Sequence, residues 1–459
     1  MPPFVERAAS LVRSDLLTTW QSLSSKGAAR AMAVVAGGVF GARVLTALGY
    51  LVIAWFYSAE VFGLFSVYIA LSLVLQLVIT AGYSGAIVVE KEDRCAALVT
   101  GVSLAAAAVI LSLVTAAVLL VPEAIARLVG VPALAELLWV LPIGVAARML
   151  QTLFTQWSIR SGRFGDQALT HIAFAGVQTG GQAVMAVAGM GTAFALVMID
   201  LAAVVVSVAV LAWHELRPLV RVIRAHVTGS GLWEAAVQWR DMPRFALLTN
   251  LITGAWQQGP VLVAAAALGG GAVLGQVALA LRALELVLQV VNASLSNVAM
   301  RHMAQARGGE RYQQFKRFAR QLFLAGLGVY LVSAAVLFVG VPFVLKPGWA
   351  DVPVLFGLLV PAYVLNVTVV PVWFVYTLAR RLGRGLLLRL AYLAVLALAW
   401  LYAVATQDLY GALICFSLCG AAVGAMVLVD MRGILRAGID PAEEQEARDA
   451  LAKPVTAGD

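Results

Sequence analysis

Apolar residues in this chain come in long unbroken runs, and polar residues collect between them. The runs are about 20 residues or more, enough to cross a hydrocarbon core of roughly 30 Å at about 1.5 Å per helical residue. Twelve can be marked: 31–57, 62–88, 96–120, 134–157, 166–188, 192–213, 245–268, 272–300, 319–341, 352–377, 384–405 and 408–429. The strands of a membrane barrel would instead alternate polar and apolar over about ten residues. The pattern predicts an all-α integral membrane protein of twelve transmembrane helices.

The polar intervals give the orientation. With both ends inside, the inner segments hold Arg7, Arg13, Lys26, Arg30, Lys91, Arg94, Arg160, Arg163, Arg217, Arg221, Arg224, Arg240 and Arg244, then the dense run Arg301–Arg320, then Arg380, Arg381, Arg384 and Arg389. The outer loops hold only Arg127 and Lys346. Lys and Arg set orientation, so an N-in, C-in arrangement is expected. Residues 1–30 read as a basic, amphipathic segment on the inner surface, 214–244 as an interfacial linker and 430–459 as a solvated tail.

Composition agrees. Hydrophobic residues make up 62% of the 459 and charged residues 12%, about half the usual charged share of a soluble protein. The net charge of +8 is explained by the inner loops, and nothing supports a nucleic-acid role. Cys95, Cys415 and Cys419 fall in or beside apolar runs, so no disulfide framework is implied.

The spans divide into two halves, 31–213 and 245–429. AEVFGLFSVYIALSLVLQLVITAGYSGA in the first and GAVLGQVALALRALELVLQVVNASLSNV in the second each follow the first outer turn of their half. At a shift of 212, Val61, Gly63, Val78, Ala81 and Ser84 fall on Val273, Gly275, Val290, Ala293 and Ser296. Six spans return the chain to its starting side, so the halves would be parallel repeats about an axis along the membrane normal.

Enzyme readings find little support. No Gly-Lys pair exists for a P-loop, and the four histidines form no metal-binding spacing. The outer loops, about three to thirteen residues by these boundaries, leave no room for a catalytic domain. No cofactor or metal is expected.

Charges inside the spans carry the chemistry. A buried charge costs about 2.5–3.5 kcal/mol or more on insertion scales, so it faces a cavity or a partner. Arg43, Arg148 and Arg282 are the candidate cavity-lining cations, with Gln257 and Gln289 as amide partners. Asp200 and Glu285 are the candidate ion-coupling sites. Arg282 and Glu285, at i and i+3, can also neutralise each other, and Arg148 can snorkel. Amides and a slight cationic excess suit a cargo that is anionic and rich in hydroxyls.

AEVFGLFSVYIAL (59–71), AGYSGAIVVEKED (81–93) and FALLTNLITGAWQQGPVLVAAAALGGGAVLGQVALALR (245–282) resemble the oligosaccharide-lipid flippases of the polysaccharide transporter (Wzx-type) family, within the superfamily that includes multidrug and toxin exporters. The resemblance covers roughly residues 30–430. Ala59 departs from it, standing where the family commonly has proline. The resemblance implies a flippase that carries an undecaprenyl-diphosphate-linked repeat unit across the bacterial inner membrane by alternating access, for exopolysaccharide, capsule or O-antigen synthesis. It implies membrane lipid, a polysaccharide polymerase and a chain-length regulator as partners, and Arg43, Arg148 and Arg282 as the cavity cations. A cation-coupled drug antiporter and a non-transporting scaffold of a glycan-synthesis complex are the alternatives.

Overall fold

The computed structural model describes residues 26–90, 92–305, 308–344, 347–379 and 381–437. Most of the expected amphipathic segment and of the expected tail lies outside the described residues. The long helices are α1 (Lys26–Phe56), α2 (Ala59–Val78), α3 (Asp93–Leu120), α4 (Leu141–Arg160), α5 (Phe164–Val187) and α6 (Ala193–His226) in the first half. In the second they are α7 (Leu247–Leu268), α8 (Ala272–Gln305), α9 (Gly308–Val344), α10 (Val352–Val369), α11 (Leu382–Thr406) and α12 (Leu409–Ala437).

Among the described residues, eleven of these helices are long and apolar enough to cross a membrane. The exception is α5, which is 24 residues long but carries His171, Gln178, Thr179 and Gln182. Those side chains explain its lower hydropathy, and three of them recur in the cavity described below.

The same helix pairs pack in each half: α1 on α5, α2 on α4, α4 on α6 and α5 on α6, then α7 on α11, α8 on α10, α10 on α12 and α11 on α12. The halves meet where α2 lies against α7 and α8. Both contacting helices start at short turns. Ser58 caps α2, its hydroxyl accepting from the Val61 amide at 3.3 Å, which satisfies one of the free donors of the first turn. Gly269, at φ 68°, ends α7.

At that end the backbones touch. A Cβ on Gly63 would lie 2.8 Å from the Gly275 nitrogen and 3.3 Å from the Gly271 oxygen, and a Cβ on Gly275 would overlap the Ala59 carbonyl. Trp349, before α10, is 1% exposed and packs on Phe62 with ring centroids 6.0 Å apart. The Asp351 amide donates to Gln276 Oε1 at 2.6 Å. Gly130, which ends a short helix Pro122–Val129, fits against Ala265 and Ala266 of α7. This turn end of the bundle is sealed.

The opposite, arginine-rich end departs from expectation in two places. The second run, expected as one span over 62–88, breaks after Val78. Ala81 and Gly82 take φ of 48° and 80°, then a 3-10 turn (Tyr83–Gly85) and a short helix (Ala86–Val89) follow. Gly82 is held against the Met242 carbonyl and the Leu247 amide, where a Cβ would sit 3.1–3.2 Å away. Contact with the start of the second half therefore sets the break.

The other departure is α6, which runs through Pro218 to His226 rather than yielding to a linker at 214. Its Pro218 is exposed, so the carbonyl that loses its helical partner is at a solvent-accessible stretch. A short helix (Gly229–Gln238) and a π-helical turn (Met242–Ala246) complete the connection. The connection is pinned to the first half through Glu90, whose carboxylate accepts from Trp239 Nε1 at 2.8 Å. Arg160 secures the other side, donating to the Glu90 carbonyl and to Asp93 at 2.9 Å. The three cysteines are free thiols.

Candidate functional site: a central charged cavity

Mid-way along the helices a cavity of about 260 Å³ opens between α1, α2, α4, α5 and α6 of the first half and α8 of the second. Arg43, Arg148, Arg282, Gln289, Asp200 and Glu285 all line it. They come from four helices and span 247 positions of sequence from Arg43 to Gln289. Gln257 does not join them. It is exposed, and its neighbour Gln258 is the amide turned inward.

Two of the three arginines are neutralised locally. Arg148 Nη2 donates to Asp200 Oδ2 at 2.6 Å and its Nε to Ser72 Oγ at 3.1 Å, so α4 is tied to both α6 and α2. Both side chains of the ion pair are only 6% exposed. Removing one partner of a pair buried this deeply would strand the other charge away from water.

Arg282 Nη1 donates to Glu285 Oε2 at 2.7 Å, one helical turn away on α8. Its Nη2 lies 3.4 Å from Gln258 Oε1 on α7. The pair is less enclosed than the first, at 15% and 13% exposure.

Arg43 has no counterpart of this kind. Among the described residues it makes no ion pair, and its Nε is buried without a hydrogen-bond partner. Gln289 Oε1 and Ser66 Oγ are buried and unpartnered as well, and both line the same cavity. Buried polar atoms without partners are rare and costly, on the order of 1–3 kcal/mol each. All three border the one cavity, where a polar occupant can bond them.

The wall facing Arg43 is the polar stripe of α5, His171, Gln178 and Gln182. This explains the low hydropathy of that helix: its polar residues serve the cavity. Other amides in the spans join helices instead. Gln76 donates to Thr152 at 3.2 Å and Gln151 to Ser207 at 2.8 Å, the usual use of such groups between membrane helices.

With three guanidinium groups and two carboxylates, the lining carries one uncompensated positive charge, on Arg43. Among the described residues no cluster of His, Cys, Asp or Glu can hold a metal ion. The arrangement can grip an anion between α1 and α8, one from each half, and can satisfy hydroxyl or amide groups beside it.

The corresponding helices of the second half pack on aromatic rings. There Trp256 of α7 lies 4.6 Å from Tyr392 of α11 and 4.7 Å from Phe416 of α12, by ring centroids. Aromatic packing occupies the region between α7, α11 and α12 that the corresponding first-half helices leave open.

Ser66 and Ser72 were not legible in the sequence. A serine in an apolar helix is common, and nothing in the local pattern distinguishes these two.

No family model and no curated protein matches the sequence. Solved structures do. An inward-facing multidrug resistance transporter of the MATE family, in the MOP superfamily, aligns with a TM-score of 0.66 at 14% identity over 86% of this chain and 95% of that one. The lipid II flippase MurJ in an inward closed conformation gives 0.63 at 14% identity over 88% and 90%. A MATE protein in complex with MaL6 gives 0.57 at 15% identity over 89% and 96%. At these identities the likeness is one of fold, and the fold is that of multi-pass membrane transporters.

Proposed function

We propose that this chain is a flippase for a lipid-linked oligosaccharide with an anionic, diphosphate-type linkage, working by alternating access in the bacterial inner membrane with both termini cytoplasmic. The observation that carries this reading is the unpaired Arg43 guanidinium, set in one cavity with the unpartnered Gln289 and Ser66. A phosphate group satisfies the arginine, and sugar hydroxyls or amides satisfy the other two. A cationic drug would meet net positive charge at the same place. Fold likeness alone does not choose between these cargoes, since both a drug transporter and a lipid II flippase share it.

In this reading an undecaprenyl-diphosphate glycan reaches the cavity from the arginine-rich, cytoplasmic end while its lipid tail stays in the bilayer. Arg43 on the first half and Arg282 on the second take the diphosphate between them. Bridging the halves gives the cargo a differential affinity for one arrangement of them, which is what any ligand-driven conformational change requires. The Gly63–Gly275 seal then opens and the headgroup leaves outward. Asp200 and Glu285, each held by an arginine, are the candidates for proton coupling. A polysaccharide polymerase and a chain-length regulator are the expected partners.

The test is a leaflet-specific assay in proteoliposomes with undecaprenyl-diphosphate-linked N-acetylglucosamine. Wild type should translocate it, and Arg43→Ala should not. Uptake of a cationic dye driven by a proton or sodium gradient, with no glycan movement, would overturn the proposal in favour of drug antiport.

A further inference from the structure

The extension of α6 beyond the bundle carries a feature the transport reading does not use. Within the membrane, α6 turns one stripe outward at helical spacing: Ala202, Val206 and Ala209 are exposed, Val206 at 37%, as expected for a surface against lipid tails. Trp213 follows in the same helical phase and is 83% exposed. It lies about 30 Å along the helix from Ala193 at about 1.5 Å per residue, the depth at which tryptophan marks the edge of the hydrocarbon.

The stripe then changes character without changing phase. Arg217, Arg221 and Arg224 stand 4, 8 and 11 residues after Trp213, and all three are exposed. None has an ion-pair or hydrogen-bond partner among the described residues. The acid nearest in sequence, Glu215, points the other way: it is 2% exposed and faces Arg163 at 3.5 Å. The short helix Gly229–Gln238 that follows adds a second outward tryptophan, Trp233, 74% exposed.

We infer that this arginine stripe is a binding surface for anionic phospholipid headgroups of the adjoining leaflet. Its face continues the lipid-facing face, so it looks toward the headgroups and not toward the central cavity. Arg217 sits one turn beyond Trp213, at phosphate depth. Arg221 and Arg224 lie further out, where long side chains bend back toward the membrane surface. Three unneutralised guanidiniums on one face match phosphodiester groups by charge and by geometry. Each basic residue near an anionic leaflet contributes about a fivefold preference, so the stripe should select anionic over zwitterionic lipid by one to two orders of magnitude.

The test uses the purified full-length chain in nanodiscs and in native mass spectrometry, with phosphatidylglycerol and phosphatidylcholine as probes. Wild type should retain phosphatidylglycerol preferentially. The triple variant Arg217→Gln, Arg221→Gln, Arg224→Gln should lose at least tenfold of that preference with phosphatidylcholine retention unchanged, and the corresponding triple Lys variant should keep a substantial part. If the triple Gln variant does not purify as a monodisperse species, the three single variants are read instead, each expected to lose a few-fold. Equal phosphatidylglycerol retention by folded Gln variants and wild type would overturn the inference. So would protection of the wild type by soluble glycerol phosphate as strong as that by the lipid, since the surface would then be a free-anion site.

Discussion

Gly63 of α2 and Gly275 of α8 hold the same place in their respective halves, 212 residues apart, and they pack against each other. The contact is reciprocal: Gly63 faces the carbonyl of Gly271, and Gly275 faces that of Ala59, which are again 212 apart. Equivalent residues touch each other only on a twofold axis, as at an isologous interface. The axis of the bundle therefore passes through this glycine contact at the sealed end.

A side chain there should hold the seal apart. Gly275→Val is expected to lengthen the distance between spin labels placed near the starts of α2 and α8, and to abolish glycan export, while the protein still reaches the membrane. Unchanged label distances would mean the contact does not govern closure.

Arg43→Ala should weaken binding of the diphosphate-linked glycan by about 10- to 100-fold, the worth of a charge-assisted hydrogen bond of roughly 1.5–3 kcal/mol. Arg43→Lys should keep part of the affinity, because charge survives while the planar fork is lost. Calorimetry or tryptophan quenching on the purified variants decides it. An Ala variant that binds as tightly as wild type would remove Arg43 from the site.

Asp200→Ala strands the Arg148 charge in a buried place and should cost about 3–5 kcal/mol of stability, visible as a large drop in thermal unfolding temperature. The double variant Arg148→Leu, Asp200→Leu removes both charges and should recover most of that loss. Should the double variant also transport normally, the pair is a structural tie between α4 and α6 and no part of the cargo path.

Glu285→Gln releases Arg282 from its charged partner. Anion binding should tighten several-fold, since the cavity gains a second uncompensated guanidinium. Exchanging the two, Arg282→Glu with Glu285→Arg, preserves the i, i+3 pair but moves the cation one turn. Normal export by the exchanged variant would assign the pair to helix stability alone.

Much of this architecture could be read from the order of residues, because each helix needs a long apolar run and each buried charge stands out within one. Arg43, Arg148 and Arg282 were conspicuous for that reason. Their convergence was not, since it depends on how α1, α4 and α8 pack. Gln257 and Gln258 show the limit of residue type without phase. Gln258 shares a buried face with Gly254, Val261 and Ala265, and that face of small residues is what turns it inward.

Two elements misled for opposite reasons. The stretch after Val78 stays apolar, so composition continued the helix where docking of Gly82 on the next half stops it. The stretch after Trp213 turns basic, so charge suggested an interfacial linker from 214 where the helix runs on to His226.

The single uncompensated charge on Arg43 has an electrical consequence for the proposed cycle. An empty cavity at +1 becomes net −1 when it holds a diphosphate diester of charge about −2. A bacterial membrane is negative inside, and a unit charge crossing its full field gains or loses about 2.3 kcal/mol per 100 mV. The field therefore favours the loaded cavity facing outward and the empty one facing inward, so voltage alone gives the cycle a direction. Transient currents on a supported membrane should then reverse sign between cargo-free and cargo-saturated protein, and Arg43→Ala should remove the cargo-free current.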